Sequence, residues 1–215
     1  MKTIPVLTLS TDGSLLASNG IKAAACSVVI APDNYMNMAR VVSSTRSSTT
    51  SEIEAIFMAT TYAYDKKIKN VCISSDSQCA ILVLTESMHH PIASSNKLQS
   101  VILKDPSLEN IFNQMYSKSK FFVQLSLVFS VAHGRIFDSF TQLNACADQL
   151  AKSVAKEAII KQLPSSVHSP TFSEIKSNLD LESLLESNSS NQPGVDLRTV
   201  VVDQIGEPDF TDDLL

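Results

Sequence analysis

The sequence predicts an α/β domain built on a mixed five-stranded sheet, an antiparallel meander followed by parallel crossovers, with helices flanking it. Three observations predict this. Three apolar runs joined by short turn-forming links fill the first 42 residues, strand-like and helix-like segments then alternate, and a long amphipathic stretch closes the pattern near residue 161.

The elements follow in order. Val6, Leu7 and Leu9 form a first strand ending at Asp12, and Gly13 with the Asn19-Gly20 turn leads into a second run, Ala23 to Ile30. Pro32, Asp33 and Asn34 supply turn chemistry before a third run around Val41 and Val42. From Thr50 to Tyr64, Ile53, Ile56, Phe57, Ala59 and Thr60 recur at helical spacing. Val71, Cys72 and Ile73 give a short buried strand, and Ala80 to Met88 a second helix, broken by His89, His90 and Pro91. After a Ser/Asn/Lys-rich connection, Leu108 to Met115 reads as a helix and Phe121 to Val131 as a strand of β-branched and aromatic residues. Asn144 to Lys161 is a long helix with Ala147, Leu150, Ala151, Val154 and Ala158 inward. Crossovers of this kind make the first, fourth and fifth strands parallel, which brings Asp12 and Asp76 to one carboxyl edge if the first and fourth are neighbours.

Composition narrows the class. Apolar residues make up 44% and charged residues 18% of 215, the balance of a globular chain, with no Trp. No apolar run approaches the roughly 20 residues that span a bilayer, and the N-terminal residues flow directly into a strand pattern. Cys26, Cys72, Cys79 and Cys146 are scattered without a CxxC pair, so reduced thiols are expected rather than a zinc site or disulfide framework. These features predict an intracellular protein, cytoplasmic or nuclear, not secreted and without a membrane partner. Charge divides the chain in two. In residues 163–215, Lys176 and Arg198 stand against ten acids, a net of −8, whereas the first 162 residues carry 15 basic and 12 acidic groups, a net of +3. A mildly basic body permits contact with phosphates.

Four acids sit in distinctive settings: Asp12 in TDGS, Glu52 at the opening of a helical stretch, Asp76 in SDSQ and Asp148 in NACADQLAK. Gathered at one sheet end, such like charges repel unless a cation holds them together, which points to a metal-dependent phosphodiesterase. Taken singly each has an ordinary role: a turn residue at Asp12, an N-cap at Asp76 for a helix from Ser77, a dipole-compensating acid at Glu52, a solvated helix residue at Asp148.

TDGS at 11 to 14, SEIEAI at 51 to 56, SDSQ at 75 to 78, AHG at 132 to 134 and LNACADQLAK at 143 to 152, in that order, resemble the ribonuclease H type 1 domain, in particular its retroelement, reverse-transcriptase-associated branch. The resemblance covers residues 4 to 160. It implies a ribonuclease H-like fold and an endonuclease that hydrolyses the RNA strand of RNA/DNA hybrids with two Mg²⁺ ions, Mn²⁺ being able to substitute. It assigns the metal ligands to Asp12, Glu52, Asp76 and Asp148, leaves Glu54 as a solvated helix residue, and places His133 on the loop before the last helix as an auxiliary to proton transfer or product departure. Gly13, Ser14, Ser48, Thr49 and Gln78 fall where members of the family contact substrate. Glu52 and Asp148 are expected in first helical turns, where the dipole favours an anion by roughly 0.3 to 1 kcal/mol.

This chain departs from the pattern in three places. Ser48 and Thr49 stand where family members often carry Asn, the loop from His133 to Asp148 is longer than usual, and the connection between helices holds only Lys97 and Lys104 where some cellular enzymes bear a basic handle. These departures motivate a second reading, a noncatalytic ribonuclease H-like nucleic-acid-binding or interaction module derived from a retroelement and once part of a reverse-transcriptase polyprotein. The expected division is a catalytic domain over residues 1–162 and an acidic, Ser/Pro-containing tail over 163–215. That tail is expected to be largely disordered, with one short helix around Ile175 to Leu185 and an acidic end able to bind a basic protein partner.

Overall fold

The computed structural model describes residues 5–30, 37–42, 47–130 and 139–162. Five strands, β1 (Leu7–Ser18), β2 (Ile21–Ile30), β3 (Met38–Val42), β4 (Asn70–Ser75) and β5 (Gln124–Phe129), form one sheet in the order β3-β2-β1-β4-β5. β1 pairs antiparallel with β2 and β2 with β3, while β4 runs parallel to both β1 and β5. The expected meander followed by parallel crossovers is therefore the observed topology. Among the described residues five α-helices complete it: α1 (Ser48–Asp65), α2 (Gln78–His89), α3 (Asn96–Lys104), α4 (Glu109–Ser119) and α5 (Ser139–Gln162).

Strand alternation explains the layers. On β2 the even residues Ala24, Cys26, Val28 and Ile30 pack with Ala55 or Ile53 of α1, whereas Ala23 packs with Ala158 and Ile159 of α5. Because successive side chains point to opposite faces, the sheet is covered on both sides. The α1 side holds the main core, in which Leu9, Ile53, Ile56, Ile73, Leu84, Phe112 and Met115 are all essentially inaccessible to solvent. The α5 side is thinner and built from alanines: Ala147, Ala151, Ala155 and Ala158 let the helix backbone come close enough for Ser27 Oγ to donate to the Ala147 carbonyl at 2.7 Å. Ala155 and Ile159 are buried there while Leu150 and Val154 are half-buried, a small rotation from the expected inward face.

Some boundaries differ from the sequence expectation. β1 does not stop at Asp12 but continues to Ser18, because Asn19 and Gly20 both adopt positive φ, 51° and 77°, and close a two-residue hairpin with β2. Phe121 and Phe122 lie in a turn after α4 rather than in β5, their N–H groups donating to Lys118 and Ser119. α3 lies in the stretch read as a connection. Its nine residues offer only Leu98 and Val101 as buried anchors, too few for a periodic signal, and its start is fixed by Ser95, whose Oγ accepts from Leu98 N–H. The four cysteines form no disulfide; Cys26 is buried, and burial pushes its thiol up to about 11. Among the described residues no helix is long and apolar enough to cross a membrane. His133, the turn at 32–34 and the acidic tail over 163–215 lie outside the described residues.

Candidate active site

The site forms where β1 outruns β4. Their parallel pairing ends at Ser10 opposite Ser74, so Asp12 stands just beyond the last rung, beside the residue that leaves β4, Asp76. Thr11 Oγ1 donates to the Ser74 carbonyl at 3.0 Å and Ser74 Oγ meets Ser10 Oγ at 3.0 Å, locking the two strands in register at that end.

α1 delivers the third acid through a close approach to Gly13. Gly13 shares the sheet face of Leu9 and Leu15, and a Cβ there would lie 2.3 Å from both Glu52 N and Ser51 C. Only glycine leaves room for that backbone, and the nearby Gly13 amide acts to lower the Glu52 carboxyl against the raising effect of burial. Gly13, a candidate substrate contact, is thus also the seat of the helix.

Asp12, Glu52 and Asp76 each present an oxygen within 4.8 Å of the other two. Asp12 and Glu52 are buried, at 4% and 8% exposure, and Asp76 is half-buried. Burial first, then Asp76 and Asp148, raises Asp12 to about 8, against the lowering influence of Lys152. Burial, Asp12 and Asp76 likewise hold Glu52 well above the usual carboxylate range, partly offset by the Gly13 amide and the Ser75 hydroxyl. Asp12 Oδ2 is buried without a hydrogen-bond partner. Three converging carboxylate oxygens, one of them orphaned, form the hard-oxygen donor set that suits a divalent cation of the Mg²⁺ type, so the residues present fit a metal.

Asp148 stands apart from this trio. It lies close enough to raise Asp12, yet its carboxylate is paired with Lys152 one turn along α5, at 2.7 and 2.8 Å. Nor is it in a first turn. α5 begins at Ser139 and α1 at Ser48, and neither Asp148 nor Glu52 lies in the first turn, so the expected dipole contribution does not apply. The ordinary role for Asp76 also fails: the N-cap of α2 is Ser77, whose Oγ accepts from Ala80 N–H, leaving Asp76 for the cluster. Glu54 is not solvated as expected; it is buried and pairs with Arg40 of β3.

Two residues that hold the acids lie inside the quoted motifs, yet nothing local in the sequence assigned them that role. Asn144 is 3% exposed, and its Nδ2 donates to Asp76 Oδ2 at 3.3 Å while its Oδ1 is unpartnered. Ser75 Oγ donates to Glu52 Oε2 at 3.5 Å and accepts from Ser77 N–H at 3.1 Å. These bonds join positions 68 and 23 residues apart, beyond the reach of any local pattern. Of the expected substrate-contacting residues, Gln78 and Ser48 are exposed at the starts of α2 and α1, whereas Ser14 and Thr49 are buried.

Sheet order, helix placement and the acid cluster together define a ribonuclease H-like domain. A family model described as RNase H matches residues 5–156, and the chain belongs to that family. Solved structures agree in fold. The foamy viral protease-reverse transcriptase in complex with an RNA/DNA hybrid is similar at 17% identity and a TM-score of 0.56, over 73% of this chain and 21% of that one. The same foamy viral protein in complex with dsDNA gives 17% identity and a TM-score of 0.54, over 72% and 99%. The PFV RNase H domain in solution gives 16% and 0.53, over 70% and 94%. No curated protein sequence is significantly similar.

Proposed function

We propose that this chain hydrolyses the RNA strand of RNA/DNA hybrids as a divalent-metal-dependent endonuclease. The observation that carries this reading is the convergence of Asp12, Glu52 and Asp76 with an orphaned, buried Asp12 oxygen, in a chain of the RNase H family. Asp12, Glu52 and Asp76 would hold Mg²⁺, with Asp148 joining from α5 by exchanging its Lys152 partner for the metal. A bound Mg²⁺ pair supplies an activated water, charge compensation at phosphorus and stabilisation of the leaving 3′ oxygen. The protein's part is to fix the ligands. Asn144 orients Asp76, Ser75 orients Glu52, and the close approach at Gly13 holds α1 at the depth that presents Glu52. Gln78 and Ser48, exposed at the starts of α2 and α1, would meet the groove of a hybrid, where the 2′ hydroxyl distinguishes RNA from DNA. His133 keeps the auxiliary role that its motif implies.

A second reading, a noncatalytic nucleic-acid-binding module, is favoured by one observation: the Asp148–Lys152 pair, which leaves three acids converging rather than four. One experiment separates the readings. The 215-residue chain is incubated with a labelled RNA/DNA hybrid in Mg²⁺ or Mn²⁺, beside the Asp76→Asn variant. The endonuclease reading expects cleavage of the RNA strand that disappears in the variant; an intact hybrid with folded wild-type protein in both metals supports the module.

A further inference from the structure

The opposite end of the sheet carries a different chemistry. β4 is bracketed by Asp76 at one end and Lys69 at the other, about 23 Å apart at roughly 3.3 Å per residue. Lys67, which follows α1, shares the Phe121 ring with Lys69 and the Tyr64 ring with Lys118 near the end of α4, and Lys66 and Lys120 adjoin them in sequence. Asp65 is the one acid beside them in sequence, and none of the five lysines forms an ion pair among the described residues. All except the half-buried Lys118 are exposed.

Aromatic rings are interleaved with these charges. Lys69 Nζ lies 3.2 Å from the Phe121 ring centre, Lys120 Nζ 3.7 Å from Tyr116, and Lys67 Nζ 4.9 Å from Tyr64. Tyr64 and Phe121 stack edge-on at 4.9 Å. Between α1 and α4 opens a groove of about 330 Å³, lined by Tyr64, Lys118, Ser117 and the side-chain amides of Asn113 and Gln114. A ring to stack on, amides that both donate and accept, and ammonium groups at the rim match a nucleobase with its phosphates.

Helix ends attract lysines through the dipole, which accounts for Lys66 and Lys118 without a ligand. It does not account for Lys67. Lys67 sits at φ 60°, in the left-handed conformation that closes α1, with Lys67 N–H donating to Tyr64 O and Ile68 N–H to Ala63 O. Glycine is the usual residue there, since it has no Cβ penalty. That conformation holds the Lys67 amine over the Tyr64 ring, at the mouth of the groove.

We propose that this lysine and aromatic cluster is a second nucleic-acid site, which takes single-stranded polynucleotide through its phosphates and one or two stacked bases. The chain's own acidic segment is the rival occupant. It follows α5, whose last turns pack against Leu16 and Ile21 beside the β1–β2 turn, at the acid end of the sheet rather than the lysine end. An aromatic ring beside side-chain amides that both donate and accept favours bases over carboxylates.

The test is fluorescence anisotropy of a labelled oligothymidylate about 12 nucleotides long, a span suited to single-strand grooves. The 215-residue chain is used in EDTA, so that binding is read independently of hydrolysis and the outcome does not depend on the catalytic reading. Lys67→Gly with Lys69→Gln is expected to weaken binding at least tenfold and to flatten the salt dependence by about 1.4 log units per log salt, about 0.7 for each phosphate no longer neutralised. Tyr64→Leu is expected to weaken it about tenfold. Thermal melts verify folding, and Lys118→Gln with Lys120→Gln repeats the reading from the other helix. Equal binding by wild type and the folded variants overturns the proposal. So does tighter binding of a peptide of residues 203–215 than of the oligonucleotide, abolished in the lysine variant, which would assign the patch to acidic peptides.

Discussion

The two ends of the parallel strands differ in burial as much as in charge. At the carboxyl end, anions are withdrawn from water and pressed against one another, so that Asp12 and Glu52 are both raised far above ordinary carboxylates. At the amino end, the cations are exposed and rest on aromatic faces, each such pairing worth only about 0.5 to 1 kcal/mol at an exposed site. The acid end thus stores unfavourable electrostatics that a ligand can relieve, while the lysine end stores almost none. A site built to hold a cation must oppose its own apo fold; a site for a polyanion can lie open on the surface.

The sharpest way to break this contrast is at Asp76. If the acids act as proposed, Asp76→Asn lowers hybrid cleavage by on the order of 10²- to 10³-fold or more, as loss of one electrostatic stabiliser does; gel-resolved cleavage rates near wild type would remove the acid end from catalysis. Gly13→Ala is next. Its Cβ meets Glu52 and Ser51 backbone rather than a flexible side chain, so denaturant unfolding should show a loss of about 3 kcal/mol, the upper part of the overpacking range.

Asp12→Asn should go the other way. An amide removes the buried charge and can donate to Glu52 or Asp76, so the metal-free protein gains about 1 to 3 kcal/mol, while the rise in Tm that Mg²⁺ gives the wild type disappears. The same residue sets a pH dependence. Asp12 is raised from 3.8 to about 8, so the folded chain holds its proton more tightly than the unfolded one. Its contribution to stability is complete below about pH 4 and is lost as pH climbs toward 8. Melting in EDTA should show that decline in the wild type and a flatter profile in Asp12→Asn; a wild-type Tm that climbs from pH 5 to 8 contradicts it. The smallest effect belongs to the lysine end. Lys67→Gly removes a charge and relieves a left-handed backbone, so stability stays level or rises by up to about 1 kcal/mol, measured by thermal melting.

Much of this was legible from local pattern. Strand and helix identities followed from apolar period, and the Asn19-Gly20 hairpin from its turn residues, since both depend on neighbours a few positions away. Candidate acids could be picked out because each sits in a short distinctive string. What failed was whatever depended on distant chain. α3 has too few buried positions to announce itself, Glu54 looked solvated until β3 brought Arg40 to it, and the start of α5 at Ser139 moved Asp148 out of the first turn. The support from Asn144 and Ser75 was invisible for the same reason.

Sequence alone determined the alternation of strands and helices, the family, and which four acids were candidates, because periodicity, turn chemistry and short motifs are properties of adjacent residues. Tertiary structure alone decided that three of those acids converge while Asp148 pairs with Lys152, that Gly13 is a seat for a helix, and that five lysines separated by up to 54 positions share one edge. Convergence depends on where β1 outruns β4 and how deeply α1 settles, distances set by packing between segments that no local string encodes.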